Sequence, residues 1–125
     1  MRRRCLLLNQ FFQVSDEALM VTDAKKRIIE VNDAFIEMSG YSRKEIMGKT
    51  PAILSSGRHD ESFYKKMWET IETTGTWQGE IWDRKKNGEI YPKWMSIIAV
   101  KNDSKPCNYV SISTDISRIK HSQER

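Results

Sequence analysis

WQGEIWDRKKNGEIYPKWMSIIAV, residues 77–100, decides how the rest of the chain is arranged. Two runs of alternating apolar and polar residues flank Asn87-Gly88. Asn-Gly between such runs is a strong hairpin signal, because both residues tolerate the positive φ of a two-residue turn. A turn centred near Gly88 sets Asp83 opposite Lys93, Ile81 opposite Met95, Gly79 opposite Ile97 and Trp82 opposite Trp94. One face then carries Trp77, Gly79, Ile81, Asp83, Lys93, Met95 and Ile97, and the other Glu80, Trp82, Trp94, Ser96 and Ile98. Each face holds apolar side chains, so neither is expected to be fully solvated.

Upstream, residues 18–22 (ALMVT) read as a strand, 23–26 as a turn and 28–31 as the returning strand. Asn32 or Asp33 caps a helix over 33–39 that Gly40 ends, and the capping box Ser42-x-x-Glu45 starts another that stops at Gly48. Residues 49–59 (KTPAILSSGRH) contain Pro51 and Gly57 and read as loop. Asp60 caps the longest helix, 60–74, closed by Gly75, in which Phe63, Tyr64, Met67, Trp68 and Ile71 recur at helical spacing as a core-facing stripe. Downstream, 101–106 is a polar turn, 108–114 a third long strand, and Asp115 a cap for a helix through Ile116, Ile119 and Lys120. Strands at both ends of a helical middle indicate one α+β domain built on an antiparallel sheet.

A chain of 125 residues suits a single core. A hydrophobic share of 38% against 30% charged residues excludes a disordered chain. The start MRRRCLLLNQFF imitates a secretory signal, but the apolar run breaks at Asn9 and Gln10 and no small-residue cleavage site follows. Nothing approaches the roughly 20 apolar residues that cross a bilayer. Cys5 and Cys107 match no metal-ligand spacing and read as free thiols in a reducing compartment, so the expected location is cytoplasmic, without membrane contact. The net charge of +4 owes much to Arg2, Arg3 and Arg4 and is a poor argument for nucleic acid. Ser55, Ser56, His59 and Asp60 supply triad residue types, yet near-consecutive residues cannot converge as a triad, and no Walker, zinc-helix or G-x-S-x-G motif is present. Catalysis by this domain is not expected.

With this element order, VNDAFIEMSGYSRKEIMGK (31–49), WQGEIWDRKKNGEIYP (77–92) and YVSISTDISRIK (109–120) resemble the PAS domain family, the sensory modules of bacterial signalling proteins. ILSSGRHDESFYKKMW (53–68) is similar to the variant found ahead of diguanylate cyclase and phosphodiesterase domains, and to the flavin-holding domain of the nitrogen-fixation sensor group. The resemblance implies the PAS fold: a five-stranded antiparallel sheet in the order 2-1-5-4-3, with short helices enclosing a cavity on one face and an N-terminal helix on the other. It divides the chain into a cap helix (1–13), the domain itself (14–116) and the start of an exit helix (117–125).

The resemblance places Trp68, Ile81, Asp83, Lys93, Met95 and Ser113 at the cavity. In the flavin-binding light-sensing branch, asparagines stand at the positions of Asp83 and Lys93, a glutamine at Ser113, and a reactive cysteine in the loop matching 50–57. This chain has none of the four, so blue-light adduct chemistry is not expected. Asp83 and Lys93 would more simply pair with each other than bind a ring edge. The functional alternative is a small charged metabolite, with Lys93 as its anion contact and Asp83 as an acceptor. The nitrogen-fixation type keeps Trp68 but carries Glu at Pro51 and Asn at Asp83. Haem-binding relatives ligate iron from the long helix, which here has no histidine; His59 reads as a solvated loop residue and His121 falls in the exit helix. The expectation is a small cavity mostly filled by Trp77, Ile81, Met95 and Tyr109 with no resident cofactor, flavin adenine dinucleotide being the alternative.

The other face carries Trp82, Trp94, Ile98 and, from the third strand, Val110 and Ile112, a surface not expected to remain in water. Residues 6–13 read as an amphipathic helix with Leu7, Leu8, Phe11 and Phe12 along one stripe. That helix is predicted to cover the face and to form a homodimer through Leu7, Leu8, Phe11, Trp82, Trp94, Ile98 and Ile112. The expected function is a sensory and dimerising module that biases a C-terminal cyclase, phosphodiesterase or histidine kinase through its exit helix. The competing class is a single-stranded nucleic-acid binder, because WDRKKNGEIYPKW interleaves bases with aromatics. Against it, Glu80, Asp83 and Glu89 interrupt the basic run 84–86 at a hairpin tip, and no nucleic-acid partner is expected.

Overall fold

Capping chemistry sets the helix boundaries in this computed structural model, which describes residues 16–123. The predicted helix at 6–13 and its Leu7, Leu8, Phe11 and Phe12 stripe lie outside the described residues. Asn32, wholly buried, starts helix α1 (Asp33–Ser39): its Oδ1 accepts from Phe35 N–H at 3.0 Å. The same oxygen accepts from Leu19 N–H at 2.9 Å, while its Nδ2 donates to the Glu17 carbonyl at 2.8 Å. One side chain therefore caps the helix and clips it to the first strand. Ser42 and Glu45 make the predicted capping box of α2 (Arg43–Ile46), and Asp60 accepts from Phe63 N–H to start α3 (Glu61–Thr74), which Gly75 ends in the left-handed region. Within the stretch read as loop, Pro51–Leu54 form a 3-10 turn with Pro51 at its start, where the missing N–H leaves no bond unmade.

The strands are β1 (Ala18–Asp23), β2 (Ile28–Val31), β3 (Thr76–Arg84), β4 (Ile90–Asn102) and β5 (Lys105–Asp115), and α4 (Ser117–Gln123) follows β5. They form one antiparallel sheet in the order β2-β1-β5-β4-β3. β5 begins earlier than expected, because Asp103 and Ser104 both take positive φ (52° and 70°) and turn the chain in two residues.

The β3–β4 hairpin corrects the predicted register. Ile81 faces Lys93, Gly79 faces Met95, Asp83 faces Tyr91 and Glu80 faces Trp94. Trp82 faces Pro92 and not Trp94. The cause is the turn: Lys85 N–H donates to Glu89 O, Gly88 N–H to Lys85 O, and of the loop residues only Gly88 has positive φ. Five residues, Lys85 to Glu89, join the strands, and the Lys85–Glu89 bond encloses a three-residue turn, Lys86-Asn87-Gly88, closed by a left-handed glycine. A shift of two positions changes every partner and keeps every side chain on its predicted face.

Alternation then sorts the sheet. On the inner face Ala18, Met20 and Thr22 of β1, Tyr109, Ser111 and Ser113 of β5, Lys93, Met95 and Ile97 of β4, and Ile81 and Asp83 of β3 are all buried. Two apolar clusters flank that face. One joins Met20, Ile28, Val31, Phe35, Ile46 and Leu54; the other joins Met67 and Ile71 of α3 to Ile81, Met95, Ile97 and Tyr109.

Candidate functional site

The two clusters do not merge, and the space between them is a cavity of about 450 Å³. That is within the roughly 300–1,000 Å³ of ligand pockets. Sheet residues Met20, Thr22, Ile81, Met95, Ile97, Tyr109 and Ser111 form its floor; Leu54, Tyr64, Met67 and Trp68 form its roof. The β1–β2 turn supplies Lys25 and Lys26, and the 3-10 turn supplies Pro51 and Ala52.

Asp83 and Lys93 sit on this wall, diagonal in the ladder, with Lys93 Nζ 2.6 Å from Asp83 Oδ2. Their side chains are 7% and 3% exposed, so this is a buried ion pair. Two charges so placed hold each other: losing one partner leaves the other unsolvated, at a cost of about 3–5 kcal/mol. Beside them the phenol of Tyr91 is pushed well above its ordinary range, first by burial and then by the carboxylates of Asp83 and Asp115.

Of the other sequence-predicted residues, Trp68, Ile81 and Met95 are on the cavity wall and Ser113 is not. Ser113 is buried between Ala18 and Met95 on the flanking strands, too short to reach the cavity from its row of the sheet. Trp77 also departs from its predicted place. Its indole lies across Gly79, whose missing side chain leaves the room, and meets the Phe63 ring edge-on at 6.1 Å. With Trp77 withdrawn, the cavity is larger than the side-chain-filled space expected.

Sequence reasoning missed two contributions. His59, read as solvated, is half-buried; its Nε2 accepts from Trp82 N–H at 2.9 Å, and its ring stacks on Phe63 at 4.0 Å. With the Ser55–Asp83 bridge and the 3.0 Å bond from Arg84 Nη2 to the Ser56 carbonyl, it ties the cavity loop to the exposed edge of β3. Only its nearness to the β3 edge, invisible in one dimension, reveals the role. The cavity lysines of the β1–β2 turn were likewise read only as turn residues.

The triad-like residue types do not assemble: Ser56 Oγ accepts from Arg58 N–H, Ser55 Oγ lies 3.4 Å from the Tyr64 hydroxyl, and Asp60 caps α3. The basic tip is engaged with protein as well, since Lys85 pairs with Glu89 at 3.2 Å and Lys86 pairs with Glu45. Among the described residues no group of histidine, cysteine or carboxylate side chains could hold a metal, and no helix is long and apolar enough to cross a membrane.

The cavity connects to the end of the domain. Lys93 pairs in the ladder with Asp115, and the adjacent Pro92 carbonyl accepts from Ile116 N–H at 3.1 Å. Asp115, one residue before the N-cap position Ile116 and not at it, accepts from Ser117 N–H, and Lys120 Nζ reaches Glu80 of β3 at 2.8 Å. Helix α4 is thus anchored at two points to the strands that carry the ion pair.

A five-stranded sheet roofed by short helices over a cavity, with a helix leaving its last strand, defines a small α+β cavity domain. The profile of the PAS domain matches residues 16–118, and the chain belongs to the PAS domain family of sensory modules. It is 29% identical over 111 residues to a nitrogen fixation regulatory protein of Klebsiella oxytoca, covering 86% of this chain and 22% of that protein. It is also 29% identical over 100 residues to an aerotaxis receptor of Escherichia coli (strain K12), covering 79% of this chain and 20% of that one. The chain thus spans about a fifth of the length of these relatives. A PAS domain of a protein from Colwellia psychrerythraea superposes with a TM-score of 0.85 at 22% identity, over 92% of this chain and 98% of that one.

Proposed function

We propose that this domain is the sensory and self-associating module of a larger signalling protein, reading the occupancy of its cavity and passing it to a C-terminal effector through α4. The observation that carries the reading is the route just described, in which β4 contributes both Lys93 to the cavity wall and the Pro92 carbonyl to the first residue of the exit segment. An occupant that binds one arrangement of this wall better than another shifts the balance between them, and only that difference can bias α4.

Flavin adenine dinucleotide fits the wall poorly. The two positions that would meet a ring edge are an ion pair at 2.6 Å, each group already satisfied by the other, and Ser113 stands off the wall. A flavin absorbance band in purified protein would reverse this assignment.

Self-association would use the outer face. Trp94 and Ile98 are each 45% exposed, and Ile112 and Val110 lie beside them on β5 through the Ser96–Ile112 and Ile98–Val110 pairs. Residues 6–12 of the same chain precede β1 closely and carry the Leu7, Leu8 and Phe11 stripe that would cover it, within one subunit or across two. The test of the sensory reading is occupancy-dependent release of α4: hydrogen exchange at Ile116 and Lys120 amides should change when a ligand enters. Unchanged exchange with a saturated cavity overturns it.

A further inference from the structure

Three lysines, Lys25, Lys26 and Lys93, and one carboxylate residue, Asp83, line the cavity, Lys25 being exposed at its margin. Lys93 and Asp83 neutralise one another, so the anion contact that the sequence suggested for Lys93 has no free charge behind it. Lys25 and Lys26 make no ion pair among the described residues. Their placement is built by the turn. The Asp23 carboxylate accepts from the N–H groups of Lys25 and Arg27, both at 2.9 Å, and Lys26 N–H donates to the Asp23 carbonyl at 3.0 Å. Lys26 sits in the left-handed region (φ 68°), which non-glycine residues rarely adopt, and its ammonium lies 4.0 Å above the Trp68 ring at the cavity wall. Behind these two charges the cavity is methionine and aromatic: Met20, Met67, Trp68, Met95 and Tyr109.

An apolar chamber with uncompensated positive charge beside it selects a particular chemistry. We infer that the occupant is a small organic anion whose apolar body lies among these side chains and whose acid group, carboxylate or phosphate, is held by Lys25 and Lys26. The inference rests on the sensory reading above and names the ligand class of the same cavity. At roughly 30 Å³ per water, the cavity has the volume of about fifteen waters, which suits a body of one or two rings. The methionines adapt to its outline and Trp68 and Tyr109 offer ring contacts, while the acid group adds the discrimination that an apolar chamber alone lacks. Lys26 already stands over Trp68, so an anion there replaces water around an ammonium whose position is set beforehand.

The experiment titrates the 125-residue chain with 2-naphthoate, 2-naphthyl phosphate and the neutral 2-naphthamide, following tryptophan fluorescence and heat. At least one acid should bind on the order of tenfold more tightly than the amide, and its advantage should shrink with added salt. The double variant Lys25→Gln/Lys26→Gln should abolish that advantage, keep the amide affinity and keep the urea midpoint of the parent. The phosphate and carboxylate arms decide which acid group the lysines prefer. Equal affinity for all three probes overturns the anion assignment and leaves the sensory cavity standing. An advantage that survives the double variant also overturns it. Binding of none of the three overturns both the anion assignment and the ligand-reading role of the cavity.

Discussion

The two faces of the β3–β4 hairpin are made from the same two strands and meet opposite fates. Inward, Asp83 and Lys93 are almost wholly buried and form an ion pair of 2.6 Å beside a cavity. Outward, Trp94 and Ile98 keep nearly half their surface exposed, and Trp82 is half-buried under the Arg58 guanidinium, 3.9 Å above its ring. The inner face is mostly apolar, with Ile81, Met95 and Ile97 buried, yet it also encloses a charge pair, and the outer face leaves large apolar groups in water beside the charged Glu80. Each exception has a physical requirement. A buried charge needs a partner, which Asp83 and Lys93 provide for each other; an exposed apolar surface is where the proposed self-association can be tested.

The comparison breaks most visibly on the inner face. Lys93→Ala leaves the Asp83 carboxylate buried without a counter-charge and should cost about 3–5 kcal/mol, read as a fall in urea midpoint. The paired change Asp83→Leu/Lys93→Met should restore most of it, since replacing both charges removes the desolvation penalty together with the attraction. A loss below about 1 kcal/mol for Lys93→Ala would place the pair in water and undo the contrast.

At the edge between the faces, His59→Ala removes the acceptor of Trp82 N–H and the ring stacked on Phe63. The expected loss is about 1–2 kcal/mol, combining one hydrogen bond with one ring contact. Faster hydrogen exchange at the Trp82 amide, with little change at Met95, would place the effect at the edge and not in the core.

On the outer face, Trp94→Glu should change the unfolding free energy of the single subunit by no more than about 0.5 kcal/mol at protein concentrations too low for association, since Trp94 is 45% exposed within one chain. Association should fall instead, from dimer to monomer in sedimentation. Unchanged association removes this face as the contact.

The smallest effect concerns the hairpin tip. Lys86, and then the Ser42 backbone N–H, hold the Glu45 carboxyl down from its ordinary 4.5 to about 2. A lowered carboxylate stabilises the fold above its unfolded value and loses that contribution as pH falls through the folded one. The parent should therefore exceed Glu45→Gln by a small margin at pH 7, and the two should converge as pH falls from about 4.5 to about 2. A margin that persists at pH 2 would point to packing in place of charge.

Much of this architecture was legible in one dimension because it rests on local chemistry. Asn32, Ser42, Asp60, Gly40 and Gly75 act at the helix ends where their side chains or their backbone freedom predict, since a cap is decided within four residues. The hairpin register was not legible. Asn-Gly is compatible with a two-residue turn and with a three-residue turn that uses only its glycine, and Lys86 N–H donating to the Ser39 carbonyl of α1 shows the tip anchored to a distant element in the second form.

The candidate site divides along the same line. Period-two alternation in residues 77–100 determined which side chains share a face, so Ile81, Asp83, Lys93 and Met95 reach the cavity despite the two-residue error in register. Tertiary structure alone decided that Trp77 folds over Gly79 and leaves the cavity open, that Ser113 stops short of it, that His59 closes the β3 edge, and that Lys25 and Lys26 stand at its wall. Faces and caps depend on neighbours within a few residues, which sequence displays; cavity volume and unpaired charge depend on what distant segments bring to the same place, which only the folded chain arranges.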